Sequence, residues 1–533
     1  MMHAKSLTAS RLLRMFSLSY LNLVTVGSYF AGILRHTGGR LPKLLLALLF
    51  IPAVLFAWRL TDTGLCRLDS WLKRRHWQDL AAAPAAFTLH SWLPWLLPAL
   101  AVSLVYYLRA FPGGFTFDSQ SQWEQIQTHS FSNWHPFAQT LLLWLASRIV
   151  NRWFFVALLH TLTAAIALSL VFTSLARHGF PHRLLLAMEF FVLVNPAWEY
   201  TVIYLWKDSS LTVTVCLLLC CLIHILSSGG AWFRSRPRTL LFAGLLALAT
   251  LLRHNAFFFT LPLLAALLIH YRRLRPARLL LPLVALILIV MRFGVYALFP
   301  VEYPRQTVDE SVGLPMTVIL SVHVVDPEAV QAEVRIFLEE LSGDPAILEQ
   351  MRFGDYNTVK FALAKTPSEL TTPSAILSMA WRTFCARPLL GALAVWELTA
   401  FVWDATAYRP YEYPVEIVDN DFDIRPQPAV RKVGEALALP LNSIRVVLGP
   451  LFSSIGFYLL LLVLAVAVCF ERLGQLALIL PLAIFAYAFG TSLLLASWDY
   501  RFFFFIPVIT MPLILLLMGF GFASTESQIR ELC

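Results

Sequence analysis

The chain has 533 residues, of which 58% are hydrophobic and 14% are charged. A soluble globular protein is about 45–50% apolar and about 25% charged, so this composition excludes an ordinary soluble domain. The net charge of +9 is explained by basic residues at a membrane surface, and no nucleic-acid partner is expected.

Apolar runs of roughly 20 residues, the length needed to cross a bilayer, recur along the chain. They predict an all-α polytopic membrane protein, because helices satisfy their own backbone polar groups in lipid. About twelve transmembrane helices are predicted, at 15–34, 43–60, 91–109, 153–176, 184–204, 209–228, 239–252, 256–271, 279–299, 446–470, 475–496 and 502–523.

These spans divide the chain into four parts. Residues 1–90 form an N-terminal membrane hairpin and cytoplasmic loop, and 91–299 form a transmembrane core whose first outer loop is 110–152. Residues 300–445 are predicted to be an extracytoplasmic, mainly helical region between the ninth and tenth spans. Residues 446–533 supply the C-terminal transmembrane helices and a short cytoplasmic tail.

Two features stand out in the 300–445 region. Val330, Val334, Phe337 and Leu341 recur at spacings of four, three and four, which predicts one apolar face of a helix. The apolar segment 388–405 is read either as an interfacial helix or as a further span.

Basic residues collect in alternate loops, which the positive-inside rule assigns to the cytoplasm. The outer side then carries the loop around Asp118 and turns at Trp206-Lys207-Asp208, Arg253-His254-Asn255 and Trp498–Arg501. The basic loops contain Lys73, Arg74, Arg75, Arg177, Arg183, Arg234, Arg236, Arg238, Arg272, Arg273, Arg275 and Arg278.

The seven cysteines do not suggest a disulfide framework or a zinc site. Cys216, Cys220 and Cys221 share one apolar span, and no second closely spaced pair accompanies Cys220-Cys221. No cleavable signal peptide is evident at the start of the chain.

The first outer loop is the leading candidate for chemistry. Residues 111–140 contain no Lys or Arg, yet carry Asp118 and His135 together with Glu124 and His129. A turn at Pro112-Gly113-Gly114 presents Asp118 at the start of a surface helix. Asp118 is read either as a catalytic carboxylate or as the N-cap of that helix.

His135 precedes Pro136, with the helix N-cap expected near His135. It is read either as a ligand of a phosphate or sugar hydroxyl or as a structural anchor of the loop. Glu124 and His129 are expected to be solvated.

The other outer turns supply cations. Lys207 is a candidate ligand for phosphate oxygens, and Asp208 is expected to orient Lys207 or to act as a second carboxylate. Arg253, His254 and Arg501 are further candidate substrate ligands, because the guanidinium group of arginine matches phosphate geometry. The alternatives are a Lys–Asp pair at a helix junction and arginines extending from helix ends.

Tryptophans lie at the predicted outer boundaries, and most are expected to form an interfacial belt. One or two of them are candidates for stacking on a sugar ring. They are Trp123, Trp134, Trp198, Trp206 and Trp498.

The motifs resemble those of bacterial multi-spanning glycosyltransferases of the GT-C superfamily, in a subgroup related to the protein O-mannosyltransferase and lipid A aminoarabinose transferase families. The resemblance covers roughly 91–523 and leaves out 1–90. It rests on FTFDSQSQWEQ (115–125), SNWHPF (132–137), LWKDS (205–209), LLRHNAF (251–257) and SWDYRFFF (497–504).

The resemblance implies transfer of a sugar from a polyprenyl-phosphate carrier to a lipid, glycan or protein acceptor, at the outer face of the bacterial cytoplasmic membrane. Asp118 matches the acidic residue of the first loop, which acts as base or positions the acceptor. Lys207, Arg253 and Arg501 would hold the lipid phosphate, and 300–445 would select the acceptor.

Metal and cofactor use is not expected. The better-known families often have two acidic residues where this chain has Asp118 followed by Ser119 and Gln120. One carboxylate is a poor site for a divalent ion, so a metal-independent inverting mechanism is favoured.

Two other functions compete with this reading. A transporter or flippase of a lipid-linked or polar solute would carry ionisable groups within its spans, and Glu189 and Arg292 are the candidates. A non-catalytic membrane assembly protein is the third possibility.

Overall fold

The computed structural model describes residues 12, 14–20, 22–23, 26, 40–73, 85–303, 312–342, 353–354, 356–357, 359–360, 372–405, 415–494 and 499–523. These residues are predominantly helical, and the described part of the chain contains no named β-strand but three isolated backbone bridges. The structure is that of an all-α membrane protein, as the composition predicts.

The helices that the structure describes from residue 40 onward are numbered here in chain order. In chain order they are α1 (Arg40–Lys73), α2 (Leu89–Ala110), α3 (Phe117–Thr128), α4 (Phe137–Ser147), α5 (Trp153–Arg177), α6 (His182–Leu193), α7 (Pro196–Ile203), α8 (Lys207–Ser227), α9 (Arg236–Leu252), α10 (Phe257–His270), α11 (Arg275–Leu298, with a π-helical turn at Val290–Val295), α12 (Gly313–Val325), α13 (Ala332–Ser342), α14 (Pro373–Ala386), α15 (Pro388–Trp403), α16 (Pro428–Phe452), α17 (Ile455–Leu473), α18 (Ile479–Ser492) and α19 (Phe505–Ala523).

Six helical segments in the described residues are long and apolar enough to cross a membrane. They are α2, α5, α8, α11, Gly474–Ser492 and Tyr500–Phe520. A seventh is obtained if α14 and α15, which meet at 119°, form one bent span. The sequence predicted about twelve spans, and the predicted span 15–34 lies only partly within the described residues.

Helix breaks account for part of the difference. The predicted span 184–204 is divided into α6 and α7, because Asn195 caps α7 and Pro196 occupies its first position. The predicted span 446–470 is divided between α16 and α17, where Ser454 caps α17. Hydropathy averages over such breaks and therefore joins the pieces.

Helix length accounts for another part. The predicted spans 239–252 and 256–271 correspond to α9 and α10, which have 17 and 14 residues. Helices of these lengths extend about 26 and about 21 Å, short of the roughly 30 Å of a hydrocarbon core.

The described residues form four hydrophobic clusters, and the two largest lie in different parts of the chain. The larger joins α2, α5, α8, α9 and the C-terminal helices, with α2 against α5 and α17 against α19. The smaller lies within 312–380. It buries Val334, Phe337 and Leu341, which confirms the predicted apolar face of that helix. Val330 is also buried, but it lies in extended backbone before the helix begins at Ala332.

Helix α15 extends from one core region towards the other. Its C-terminal half places Leu398, Phe401 and Val402 in the larger core, while Leu389 and Trp396 are exposed. With 16 residues it is about 24 Å long, so it does not cross a bilayer unless α14 is counted with it.

Helix α16 lies directly against α2. At Gly434 an added Cβ would overlap the backbone nitrogen of Arg109. Arg431 of the same helix donates from Nε to the carbonyl oxygen of Phe111 at 2.9 Å. The end of α2, which leads into the Asp118 loop, is thus fixed by α16.

A buried carboxylate strengthens this contact. Glu199 of α7 pairs with Arg109 of α2 at 2.6 Å and also with Arg445 of α16. Its side chain is only 4% exposed, so both cations offset the cost of burying its charge. Sequence analysis did not single out Glu199, although a carboxylate beside an Asn-Pro helix start in an apolar run was the available signal.

The contact at Gly434 predicts that Gly434→Ala lowers the apparent melting temperature in detergent. The added methyl group would have to displace the backbone of α2, and overpacking of this kind costs about 1–3 kcal/mol. Gly244→Ala in α9 is the control, because no atom lies within 4 Å of its added Cβ. Equal melting temperatures for Gly434→Ala and the unchanged protein would contradict this close approach.

Candidate functional site

Backbone hydrogen bonds hold the Asp118 loop between two other segments. The amide of Gly114 donates to the carbonyl of Ile203 at 3.1 Å, just before α8. The amide of Phe115 donates to Glu416, and Val418 donates back to Phe115, both at 2.9 Å. The loop is therefore fixed to the start of α8 and to the segment before α16.

A glycine is required at position 114. An added Cβ there would come within 2.5 Å of the Tyr204 ring, so a larger side chain would push the loop away from α8. Gly113 beside it has a φ of 109°, in the region that favours glycine. The predicted Pro-Gly-Gly turn is thus needed for both packing and backbone conformation.

Asp118 lies in the first turn of α3, but it is not the N-cap. Thr116 occupies the N-cap position, and its hydroxyl accepts a hydrogen bond from the Trp206 indole at 2.8 Å. The reading of Asp118 as the N-cap of this helix is therefore wrong. Its carboxylate is available for other contacts.

The main partner of Asp118 is an arginine from the other end of the chain. Arg501 Nη1 lies 3.1 Å from Asp118 Oδ2, and Arg501 Nε lies 2.7 Å from Asp499 Oδ2. The side chains of Asp118 and Arg501 remain 31% and 26% exposed, so a ligand can reach both.

Aromatic rings support the Arg501 guanidinium. Its central carbon lies 5.4 Å from the centre of the Trp206 ring and 5.1 Å from that of Phe502. Trp206 in turn stacks on Tyr204, with 4.2 Å between ring centres. Cation–π attraction therefore adds to the ion pairs in orienting Arg501.

The electrostatics favour an ionised Asp118. Burial opposes ionisation, but the charges of Arg501, His135 and Lys207 outweigh it and lower the pKa of the carboxyl below its ordinary value. Asp118 is thus a carboxylate that can accept a proton only if its cationic surroundings change or the reaction drives the transfer.

A second ion pair lies beside the first and is fully buried. Asp208, in the first turn of α8, pairs with Arg253, and their side chains are 3% and 7% exposed. Arg253 also donates to Asn255 at 3.0 Å, and its guanidinium lies 4.3 Å from the Phe502 ring centre. Both residues are close to the candidate site but do not reach its surface.

This pairing differs from the predicted partnership of Asp208 with Lys207. In the described residues Lys207 makes no ion pair within 4 Å, although Asp118, Asp208, Arg253 and Arg501 all influence its charge electrostatically. It is the first residue of α8, where the helix dipole also favours an anion.

The candidate residues His135 and His254 both belong to the part of the site near residues 129–137. His135 is 8% exposed and close enough for its charge to act on Asp118. His254 hydrogen-bonds to the backbone of Asn133 and Trp134, which ties the turn between α9 and α10 to this loop. The N-cap of α4 was expected near His135, and the structure places it one residue later, at Pro136. Asn133 Oδ1 accepts a hydrogen bond from the Phe137 amide.

The other two ionisable residues of the loop are solvated. Glu124 and His129 are both exposed, as predicted. His129 ends α3 in a left-handed conformation.

The prediction of an interfacial tryptophan belt fails for three residues. Trp123, Trp198 and Trp206 are buried within the protein, at 4%, 0% and 5% exposure. Trp134 is 39% exposed, and Trp498 lies outside the described residues. Position near a predicted boundary could not distinguish a ring that faces lipid from one that supports a site.

The two residues considered for a transporter lie elsewhere. Glu189 of α6 is 1% exposed, and its carboxyl oxygens have no hydrogen-bond partner among the described residues. Arg292 is exposed in the π-helical turn of α11, with its guanidinium 3.7 Å from the Tyr303 ring centre.

Comparison of the chain with protein-family models, curated proteins and solved structures finds no match in any of the three.

The difference in burial between the two ion pairs predicts different effects on stability. Asp208→Asn would leave the Arg253 charge buried without its partner, which costs about 3–5 kcal/mol. Asp118→Asn would break a partly exposed pair worth about 0–1 kcal/mol, and Asp499 would still hold Arg501.

The measurement is the apparent melting temperature of both variants in the same detergent, with gel filtration to monitor folding. We expect a large decrease for Asp208→Asn and little change for Asp118→Asn. Equal decreases would show that the two pairs do not differ in the way their burial implies.

Proposed function

We propose that the chain is a glycosyltransferase that moves a sugar from a polyprenyl-phosphate carrier to an acceptor at the outer face of the bacterial cytoplasmic membrane. The observation that carries the proposal is the accessible Asp118–Arg501 pair with the Lys207 ammonium beside it. A carboxylate suits a hydroxyl group, and cations suit a phosphate.

The proposed reaction is a single displacement at the anomeric carbon of the donor sugar. The acceptor oxygen forms a bond to that carbon while the bond from the carbon to the phosphate oxygen breaks. The acceptor proton passes to Asp118, and the polyprenyl phosphate leaves with the bonding electrons. A single displacement inverts the configuration at the anomeric carbon.

Lys207 and Arg501 are proposed to bind the phosphate. Negative charge develops on the leaving oxygen, so cations fixed in advance stabilise the transition state. Arg253 and Asp208 are proposed to act as positioning residues, because their buried pair lies beside Lys207 and below the accessible surface. His135 and His254 are proposed to shape the acceptor side of the site. No metal ion or cofactor is required by this scheme.

The existing contacts suggest how donor binding activates Asp118. In the structure Arg501 pairs with Asp118, and the donor phosphate would compete for the same guanidinium. Phosphate binding would draw Arg501 away and supply negative charge nearby, both of which raise the proton affinity of Asp118. The base would thus become effective only when donor is present.

The role of the acceptor region is also a proposal. The segment 415–418 touches Phe115 and so lies close to the Asp118 loop, while 312–380 has its own core. We propose that this part of the chain selects a lipid, glycan or protein acceptor.

The proposal predicts that Asp118→Asn abolishes sugar transfer while the protein stays folded and membrane-inserted. Loss of one general base is expected to reduce the rate by about 10²- to 10⁴-fold. Transfer is measured by mass spectrometry of glycans and lipids from cells with each variant. Glu124→Gln is the matched control, because this exposed carboxylate lies on the same helix and is expected to be dispensable.

Full transfer by Asp118→Asn would remove Asp118 from the catalytic role. Glu189 is the observation that favours a transporter as second candidate, because a buried carboxyl group without a partner suits a coupling ion. Solute movement in proteoliposomes that Glu189→Gln stops and Asp118→Asn leaves intact would support the transporter.

Competition for Arg501 predicts opposite effects on binding. Asp118→Asn should bind polyprenyl phosphate more tightly than the unchanged protein, because the carboxylate no longer competes for the guanidinium. Arg501→Gln should bind it about 10- to 150-fold more weakly, because a charge-assisted hydrogen bond worth about 1.5–3 kcal/mol is lost. The measurement is the dissociation constant of polyprenyl phosphate in detergent.

Unchanged binding by Asp118→Asn would refute the competition but leave its role as base intact. Unchanged binding by Arg501→Gln would remove Arg501 from phosphate binding.

A further inference from the structure

The turn between α10 and α11 gathers arginines at the end of the bundle away from Asp118. Helix α10 begins at Phe257, close to His254, and its 14 residues extend about 21 Å to His270. Arg272, Arg273, Arg275 and Arg278 follow immediately, so this turn is separate from the candidate active site.

A cavity of about 510 Å³ lies in this turn, lined by Leu268, Arg272, Arg273, Arg278 and Leu281. Arg278 Nε donates to the carbonyl oxygen of Arg272 at 2.7 Å, which closes the turn. Three arginines and two leucines therefore line one space.

These cations have no carboxylate partner in the described part of the chain. None of Arg272, Arg273, Arg275 and Arg278 makes an ion pair there. The sequence contains no Asp or Glu between Asp208 and Glu302. Their mutual repulsion is therefore not neutralised from within α9, α10 or α11, and the cavity favours a bound anion.

The surfaces next to the cavity are apolar and open. Leu261 and Ile269 on α10 are 56% and 63% exposed, and Leu281 and Leu286 on α11 are 52% and 55% exposed. Exposed apolar side chains of this kind suit contact with lipid acyl chains. The arrangement of a cationic end and an apolar surface matches an amphiphile better than a soluble anion.

We propose that this cavity binds the phosphate of one anionic phospholipid, whose acyl chains lie along α10 and α11. Basic pockets between membrane helices have the charge and position to hold such headgroups. The proposal does not depend on sugar transfer and assigns the lipid a structural role.

The test compares two triple variants of the full chain in detergent. Arg272→Gln, Arg273→Gln and Arg278→Gln together remove the cavity charge. Arg234→Gln, Arg236→Gln and Arg238→Gln remove the same charge from the neighbouring turn, which is joined to this one by contacts of Gly230 with Tyr271 and Leu274. Binding of phosphatidylglycerol and of phosphatidylcholine with identical acyl chains is measured by native mass spectrometry.

We expect the unchanged protein to bind phosphatidylglycerol in preference to phosphatidylcholine. One arginine close to a lipid phosphate contributes about five-fold in affinity, so the cavity variant should lose at least about ten-fold and the control variant about two-fold or less. Equal losses in both variants would show a general surface attraction, and no loss in the cavity variant would refute the site.

A single substitution keeps the test valid if the triple variant misfolds. Arg273→Gln is suitable, because Arg273 is exposed and makes no hydrogen bond with described residues. It should weaken phosphatidylglycerol binding about five-fold. Competition by glycerol 3-phosphate, which has the phosphate without acyl chains, would show a site for soluble anions and overturn the lipid assignment.

Discussion

Charge placed in an apolar helical bundle has to be paired, and the contact of Asp118 with Arg501 is the pair on which the candidate site depends. Next to it, Asp208 and Arg253 form a pair with almost no exposure. The two pairs have similar chemistry but different surroundings. The buried one is held fixed by the cost of separating its charges, whereas the accessible one can exchange its partner for a ligand. In the proposed chemistry the fixed Asp208–Arg253 pair supports the Asp118–Arg501 pair, whose arginine can bind a ligand instead.

The position of Asp118 depends on main-chain contacts more than on its own side chain. Gly114 and Phe115 join the loop to the residue before Tyr204 and to the 416–418 segment. These hydrogen bonds join backbone atoms, so the only side-chain requirement they impose is a glycine at position 114. Helix α16 also fixes the end of α2 through Gly434, so the chain is held just before the loop as well as at Gly114 and Phe115.

The sequence was informative about helical class, about an amphipathic helix in the middle region, and about the turns that supply Asp118, Lys207 and Arg501. Alternating membrane crossings return every second loop to the same side, so turns far apart in sequence can be assigned to one face. The ion-pair partner of Asp208 was not predictable, because the packing of three helices decides whether its carboxylate reaches Arg253 or Lys207. Helix breaks at Asn195 and Ser454 were missed, since hydropathy averages over two or three residues that end one helix and cap the next. Burial of Trp206 also depends on neighbours that the sequence does not reveal.

The sequence distance between Asp118 and Arg501 has a consequence for biosynthesis. The two residues are 383 positions apart, and Arg501 immediately precedes the last helix. At a synthesis rate of about 5–20 residues per second, the ribosome adds Arg501 roughly 20–80 s after Asp118. During that interval Asp118 lacks the guanidinium that pairs with it in the folded protein. The Asp118–Arg501 pair can therefore form only late in synthesis, and a chain truncated before Arg501 would lack the ion pair on which the candidate site depends.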